Sequence, residues 1–202
     1  MGKTTERIIL GIDPGTVNMG YGLIRIDGSV ISLLDAGVIQ LSRDKHHIYR
    51  LEVIFSTVTK IIGDYHPDEL SIEEPFFGKN VQSMLKLGRA QGVAMAAALA
   101  FRIPVFGYPP RLVKQSITGK GSASKEQVAA MVQRLLPGSI MPAQLDATDA
   151  VSVALCHYFR SREPIKTSTA SLPGIQGSKS KKTGYNSWQA FLQDNPGRTS
   201  GN

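Results

Sequence analysis

Apolar positions along the chain follow two periods, and the alternation between them outlines the fold. Residues 8–12 form a short run of isoleucine, leucine and glycine that stops at Asp13-Pro14-Gly15, the pattern of a central strand closed by a turn. Residues 20–26 read as its hairpin partner, and a third strand near 30–41 completes an antiparallel meander. After the polar stretch SRDKHH the period changes. Ile48, Leu51, Phe55, Val58, Ile62 and Tyr65 recur at three-four spacing, which predicts an amphipathic helix ending near residues 63–67. Residues 69–73 (ELSIE) then predict a strand with a carboxylate at its end, followed by the turn signal Pro75. The arrangement at Asp13 is thereby repeated.

A helix is expected from about residue 79 to 101, rich in small residues: Gly88, Ala90, Gly92, Ala94, Ala96, Ala97 and Ala98. Small side chains let backbones approach closely, so this helix is expected to pack on both sides. Residues 104–107 supply another strand, and 109–117 a short helix opened by prolines. GKGSAS is a flexible basic loop. The next helix begins at Ser122 or Ser124, either of which can cap it, and turns Val128, Met131, Val132 and Leu135 inward. Residues 146–159 (DATDAVSVALCHYF) form the last helix, with Asp146 and Asp149 one turn apart on one face.

Composition narrows the picture. The 202 residues suit one domain over 1–162, while 163–202 is poor in apolar residues and rich in Gly, Ser, Thr and Lys, as expected of a disordered basic tail. A single cysteine excludes an internal disulfide framework and any multi-cysteine metal site. The beginning carries no apolar stretch of signal-peptide length and no run is long enough to span a bilayer, so a cytoplasmic protein without membrane contact is expected. Twenty-three Lys+Arg against 16 Asp+Glu leave a net charge of +7, which favours a polyanionic partner without naming one.

Four carboxylates occupy special places: Asp13 and Glu73 at strand ends, Asp146 and Asp149 at a helix start. Singly, each is ordinary turn or helix-cap chemistry. Together at one sheet edge they would crowd like charges, which is costly without a cation. An all-oxygen cluster suits Mg²⁺ or Mn²⁺ and not zinc. Of the histidines, His46 and His47 lie in a polar loop, and His66 and His157 stand isolated as surface or supporting residues. Two divalent ions about 4 Å apart can hydrolyse a phosphodiester. Basic protein and acidic cluster together point to a nuclease.

The stretches GIDPGTVNMGYG, SIEEPFFGKNVQSMLKLGRAQGVA, PPRLVKQSITGKGSASKEQV and LDATDAVSVAL resemble, in order and spacing, the successive motifs of the RuvC family of Holliday-junction resolvases, over roughly residues 8–158. The resemblance implies an RNase H-like α/β fold, a mixed central sheet flanked by helices. It further implies a homodimeric crossover junction endodeoxyribonuclease that resolves four-way DNA junctions by paired symmetrical nicks in recombination and repair. Asp13, Glu73, Asp146 and Asp149 take the positions of the family's catalytic, metal-binding carboxylates, expected to hold two Mg²⁺ ions, with Mn²⁺ able to substitute. Hydrolysis by water would leave 5′-phosphate and 3′-hydroxyl ends. Glu74 is a rival to Glu73 by proximity, but strand alternation turns it away.

Lys114 and Lys125 fall on the family's basic positions, with catalytic and DNA-binding roles implied. Phe76 matches a family aromatic that inserts at the junction. Lys79, Lys86 and Arg89 are further DNA-binding candidates. The small-residue helix around residues 88–98 is the candidate dimer interface, and the branch-migration proteins RuvA and RuvB are implied partners. Two competitors stand beside this reading: a related RNase H-like nuclease acting on RNA, and a non-catalytic junction-binding module. The first motif also resembles the phosphate-binding hairpin of sugar kinases and actin-like ATPases, but the chain lacks their second domain and second glycine-rich loop.

Overall fold

The computed structural model describes residues 6–42, 46–74 and 80–162. Phe76, Lys79 and the expected tail at 163–202 lie outside the described residues. The order of elements is β1 (Arg7–Asp13), β2 (Asn18–Asp27), β3 (Val30–Gln40), α1 (His47–Tyr65), β4 (Glu69–Glu73), α2 (Val81–Ala100), β5 (Val105–Tyr108), α3 (Pro110–Thr118), α4 (Lys125–Leu135) and α5 (Leu145–Arg162). The sheet runs β3-β2-β1-β4-β5, with β1, β2 and β3 antiparallel and β1, β4 and β5 parallel. This is the mixed, helix-flanked sheet of the RNase H-like fold.

Strand alternation assigns each face of the sheet to a different set of helices. Leu10 and Ile12 of β1, with Leu70 and Ile72 of β4, pack beneath α1 and α2 through Ile54, Val58, Ala94 and Ala97. Ile9 points the other way, into a second core with Val128 and Val132 of α4 and Val151 and Leu155 of α5. Asp13 therefore shares the face of Ile9, and Glu73 lies on the face of β4 that also carries Glu69, whose carboxylate meets His157 of α5. Parity alone sends both acids toward α5.

α5 is the central helix, buried continuously from Ala150 to Tyr158. It settles against bare backbone: a β-carbon on Gly11 would come 2.2 Å from Ala150 O, one on Gly20 1.9 Å from Asp146 O, and one on Gly22 2.5 Å from Val151 Cγ2. Any side chain there would push the helix off the sheet.

The cap of α4 is set by a reciprocal pair: Ser124 Oγ accepts from Gln127 N at 3.3 Å, and Ser124 N donates to Gln127 Oε1 at 3.0 Å. Such a box stabilises a helix start by about 1 kcal/mol and fixes Lys125 as its first residue. His157, expected to stand apart, is buried. Its Nε2 lies 2.9 Å from Glu69 Oε2 and its Nδ1 2.6 Å from the Tyr108 hydroxyl, with the Phe106 ring stacked at 4.4 Å. Arg7 completes this network by donating to Glu69.

Candidate metal and active site

Three elements deliver the four acids. In the parallel register of β1 and β4 the last pair is Ile12 with Ile72, so Asp13 and Glu73 leave adjacent strands one residue beyond the same rung. Asp146 and Asp149 come from the first turns of α5. Oxygens of Asp13, Asp146 and Asp149 all lie within 4.8 Å of one another. Glu73 does not join that trio but lines the same hollow, of about 150 Å³, with Asp13, Asp149, Lys114, Lys125 and Ser152. Glu74 goes elsewhere: its carboxylate lies against Gly107, where a β-carbon would meet Oε1 at 2.3 Å.

The turn after Asp13 is locked by its own geometry. A β-carbon on Gly15 would fall 1.6 Å from Asn18 O, so only glycine fits. Asn18 in turn donates from Nδ2 to Asp146 Oδ2 at 3.2 Å, tying the strand-tip turn to the start of α5. Asn18 and Ser152 were not among the residues singled out from sequence. The short reach of the turn hints at the first, and nothing local hints at the second.

Electrostatics show how unwelcome four carboxylates are here. Burial, then the charges of Glu73 and Asp149, push the Asp13 carboxyl up to about 8 against the partial relief of Lys125. Burial and Asp149 push Glu73 up to about 7, opposed by Lys125 and Lys114. Lys125 answers directly, its Nζ 2.5 Å from Asp149 Oδ2, and that hydrogen bond raises its own pKa. An oxygen-only donor set whose members resist ionising side by side fits a hard divalent cation, the charge that would relieve the repulsion.

Of the residues singled out from sequence, Asp13, Glu73, Asp149, Lys114 and Lys125 line this one hollow, and Asp146 adjoins it through its approach to Asp13 and Asp149. Lys86 and Arg89 do not. They lie on α2, and Lys86 lines a separate hollow beside Gly15 and Thr16.

Comparison with known proteins decides the family, because the model of crossover junction endodeoxyribonuclease RuvC matches residues 9–157. The chain belongs to the RuvC family. It is 51% identical to the crossover junction endodeoxyribonuclease RuvC of Cytophaga hutchinsonii over 194 residues, 96% of this chain and 88% of that one. Identity to the RuvC of Porphyromonas gingivalis is 49% over 193 residues, 95% of this chain and 96% of the relative. Among solved structures, T. thermophilus RuvC in complex with a Holliday junction substrate matches with a TM-score of 0.72 and 32% identity, covering 77% of this chain and 95% of that chain. The yeast mitochondrial Holliday junction resolvase, 15% identical with a TM-score of 0.55 over 73% of this chain and 76% of its own, shares the fold. RuvC proteins are metal-dependent endodeoxyribonucleases, and the aspartate trio of this RuvC-family chain is an acidic group able to hold metal. No described helix is long and apolar enough to cross a membrane.

Proposed function

We propose that this RuvC-family protein resolves four-way DNA junctions in the cytoplasm during recombination and repair, through paired symmetrical nicks that leave 5′-phosphate and 3′-hydroxyl ends. The convergence of Asp13, Asp146 and Asp149 within 4.8 Å, with Glu73 in the same hollow, carries the reading. Two Mg²⁺ ions held by these four residues, or Mn²⁺ in their place, would acidify a water and stabilise charge at the phosphorus. The protein's own groups do the rest. Asp13 and Glu73, anchored at strand ends, and Asp146 and Asp149, anchored on a helix pressed to the sheet, hold their oxygens in place before substrate arrives. Lys114 and Lys125 face the same hollow and are placed to neutralise phosphate oxygens of the strand being cut.

A junction of near two-fold symmetry calls for two such sites, and α2 offers a surface for pairing. Val81, Leu85, Gly88, Gly92, Ala96 and Leu99 recur at spacings of three and four on its exposed face. Nothing lies within 4 Å of where β-carbons on Gly88 and Gly92 would stand, so a second copy of α2 can approach closely. Phe76 and Lys79 are assigned to the junction, the first as a wedge at its centre, and RuvA and RuvB are the partners assigned by family resemblance. The core 1–162 carries the activity and 163–202 does not.

The test compares a synthetic four-way junction, linear duplex and structured RNA, each with Mg²⁺ and with EDTA. Paired nicks in the junction alone, dependent on the ion, are expected. Preferential cutting of RNA, or tight junction binding without products, overturns the reading.

A further inference from the structure

A second, small hollow lies beside the turn that follows Asp13, with an apolar floor of Leu41, Leu51, Ile54 and Ala90 and basic groups at its walls, and the chemistry of the metal site makes no use of it. Gly15 and Thr16 form one wall, His47 and Arg50 from the first turn of α1 a second, and Lys86 from α2 a third. Arg50 Nη1 donates to Thr16 O at 3.2 Å, so the guanidinium is fastened to the turn itself. His47 Nε2 is buried and has no hydrogen-bond partner among the described residues. Burial, then the charges of Arg89, Lys86 and Arg50, push the His47 imidazole below its ordinary range. Four basic side chains therefore sit within electrostatic reach of one another. No carboxylate of the described residues pairs with Lys86 or Arg89.

Packing cations together is unfavourable unless an anion completes the site, and a buried ring nitrogen without a partner asks for one more polar atom. The space left is about 10 Å³ for a water-sized group, room for a single oxygen and not for a base or a sugar. Thr16 is three residues from Asp13, at most about 11 Å along the chain.

We propose that this hollow is a seat for a backbone phosphate of the DNA strand bound at the aspartate site, with one phosphate oxygen entering between Thr16 and His47 and its charge met by Arg50, Lys86 and Arg89. The proposal rests on the reading of the protein as a DNA endonuclease. The seat is sequence-blind, as phosphate contacts are, and its work is register: a strand gripped here is held at a fixed offset from Asp13. His47 takes up a proton on binding, since the incoming anion reverses the field that now disfavours its charged form.

The test uses the full chain and a synthetic four-way junction. Binding is followed in EDTA across a salt series for the wild type, Lys86→Gln and Arg89→Gln, both changes being on exposed positions that leave the fold intact. Each is expected to lower the slope of log affinity against log salt by about one. In parallel, the His47 ring resonances are followed by NMR as junction DNA or inorganic phosphate is added, and junction DNA is expected to move them. Unchanged slopes in both variants, or a His47 ring that junction DNA leaves unmoved, overturns the seat. Inorganic phosphate that moves the ring while the slopes stay unchanged marks a free-anion site and overturns the DNA assignment. Nicking in Mg²⁺ is scored separately. Lowered slopes with no nicking by the wild type overturn the resolvase reading and leave the seat standing, whereas normal nicking with unchanged slopes does the opposite.

Discussion

Lys125 Nζ lies 2.5 Å from Asp149 Oδ2, so in this structure the first residue of α4 is the cation that answers the acid cluster. A divalent ion entering at Asp149 meets an ammonium already there, and releasing it would free Lys125 for the phosphate. Lys125→Gln should lower the nicking rate about a hundredfold, the size seen when one preorganised charge donor is lost. Affinity for Mg²⁺, measured by calorimetry, should stay equal or tighten. Weaker ion binding in the variant would show that Lys125 supports the metal site and does not compete for it.

Asp13 and Glu73 carry pKa values raised to about 8 and about 7 from ordinary values near 4. A group whose pKa is raised by folding contributes stability that is complete below its unfolded pKa and disappears as pH climbs through the folded one. The metal-free protein should therefore lose melting temperature between about pH 5 and 8, and Mg²⁺ should restore it while releasing protons. Asp13→Asn should flatten the profile and melt several degrees higher than the wild type at pH 8 in EDTA. The same variant should lose at least about a thousandfold in nicking, roughly 4 kcal/mol in the barrier, while binding the junction as tightly or more tightly. A wild-type melting curve indifferent to pH in EDTA would contradict the crowding of these two acids.

Gly11→Ala tests the seat of α5. The new methyl would stand 2.2 Å from Ala150 O, a clash with backbone that no rotamer relieves. Overpacking of this kind costs about 1–3 kcal/mol or more, and thermal denaturation should record a fall of several degrees. Gly63→Ala, at an exposed position of α1 where nothing lies within 4 Å, is the control and should raise the midpoint slightly, since alanine favours the helix by about 0.5–1 kcal/mol.

A chain ending after Arg162 should fold and nick junctions at a rate within a few-fold of the full protein. Size-exclusion chromatography and the junction assay check this together, and aggregation of the shortened chain would assign the remaining residues a structural part.

Much of this architecture was legible because it is local. Period-two alternation placed ELSIE as the five-residue strand Glu69–Glu73, and the same parity rule turns Glu73 toward the hollow and Glu74 toward Gly107. Glycines 20 and 22 stand in the hairpin strand, but the sequence does not show that α5 is what approaches them. The limits came where sequence separation is long. Asn18 meets Asp146 across 128 positions, and His157 finds Glu69 and Tyr108 across 88 and 49, so an imidazole that stands alone in the sequence is enclosed in the fold. His47 reads from the sequence as part of a polar loop but opens α1, where Lys86 arrives beside it from α2. The last helix runs to Arg162, beyond the apolar pattern that ends at Phe159, with Arg160 and Arg162 suited to its C-terminal turn.

The helix bearing Asp146 and Asp149 rests on a glycine floor, with Asp146 O itself over Gly20. Such acids have no hinge of their own, and they can drift apart only if the best-protected part of the molecule opens. Urea should thus extinguish nicking and far-ultraviolet dichroism at one shared midpoint, and the enzyme should have no inactive yet folded plateau before it.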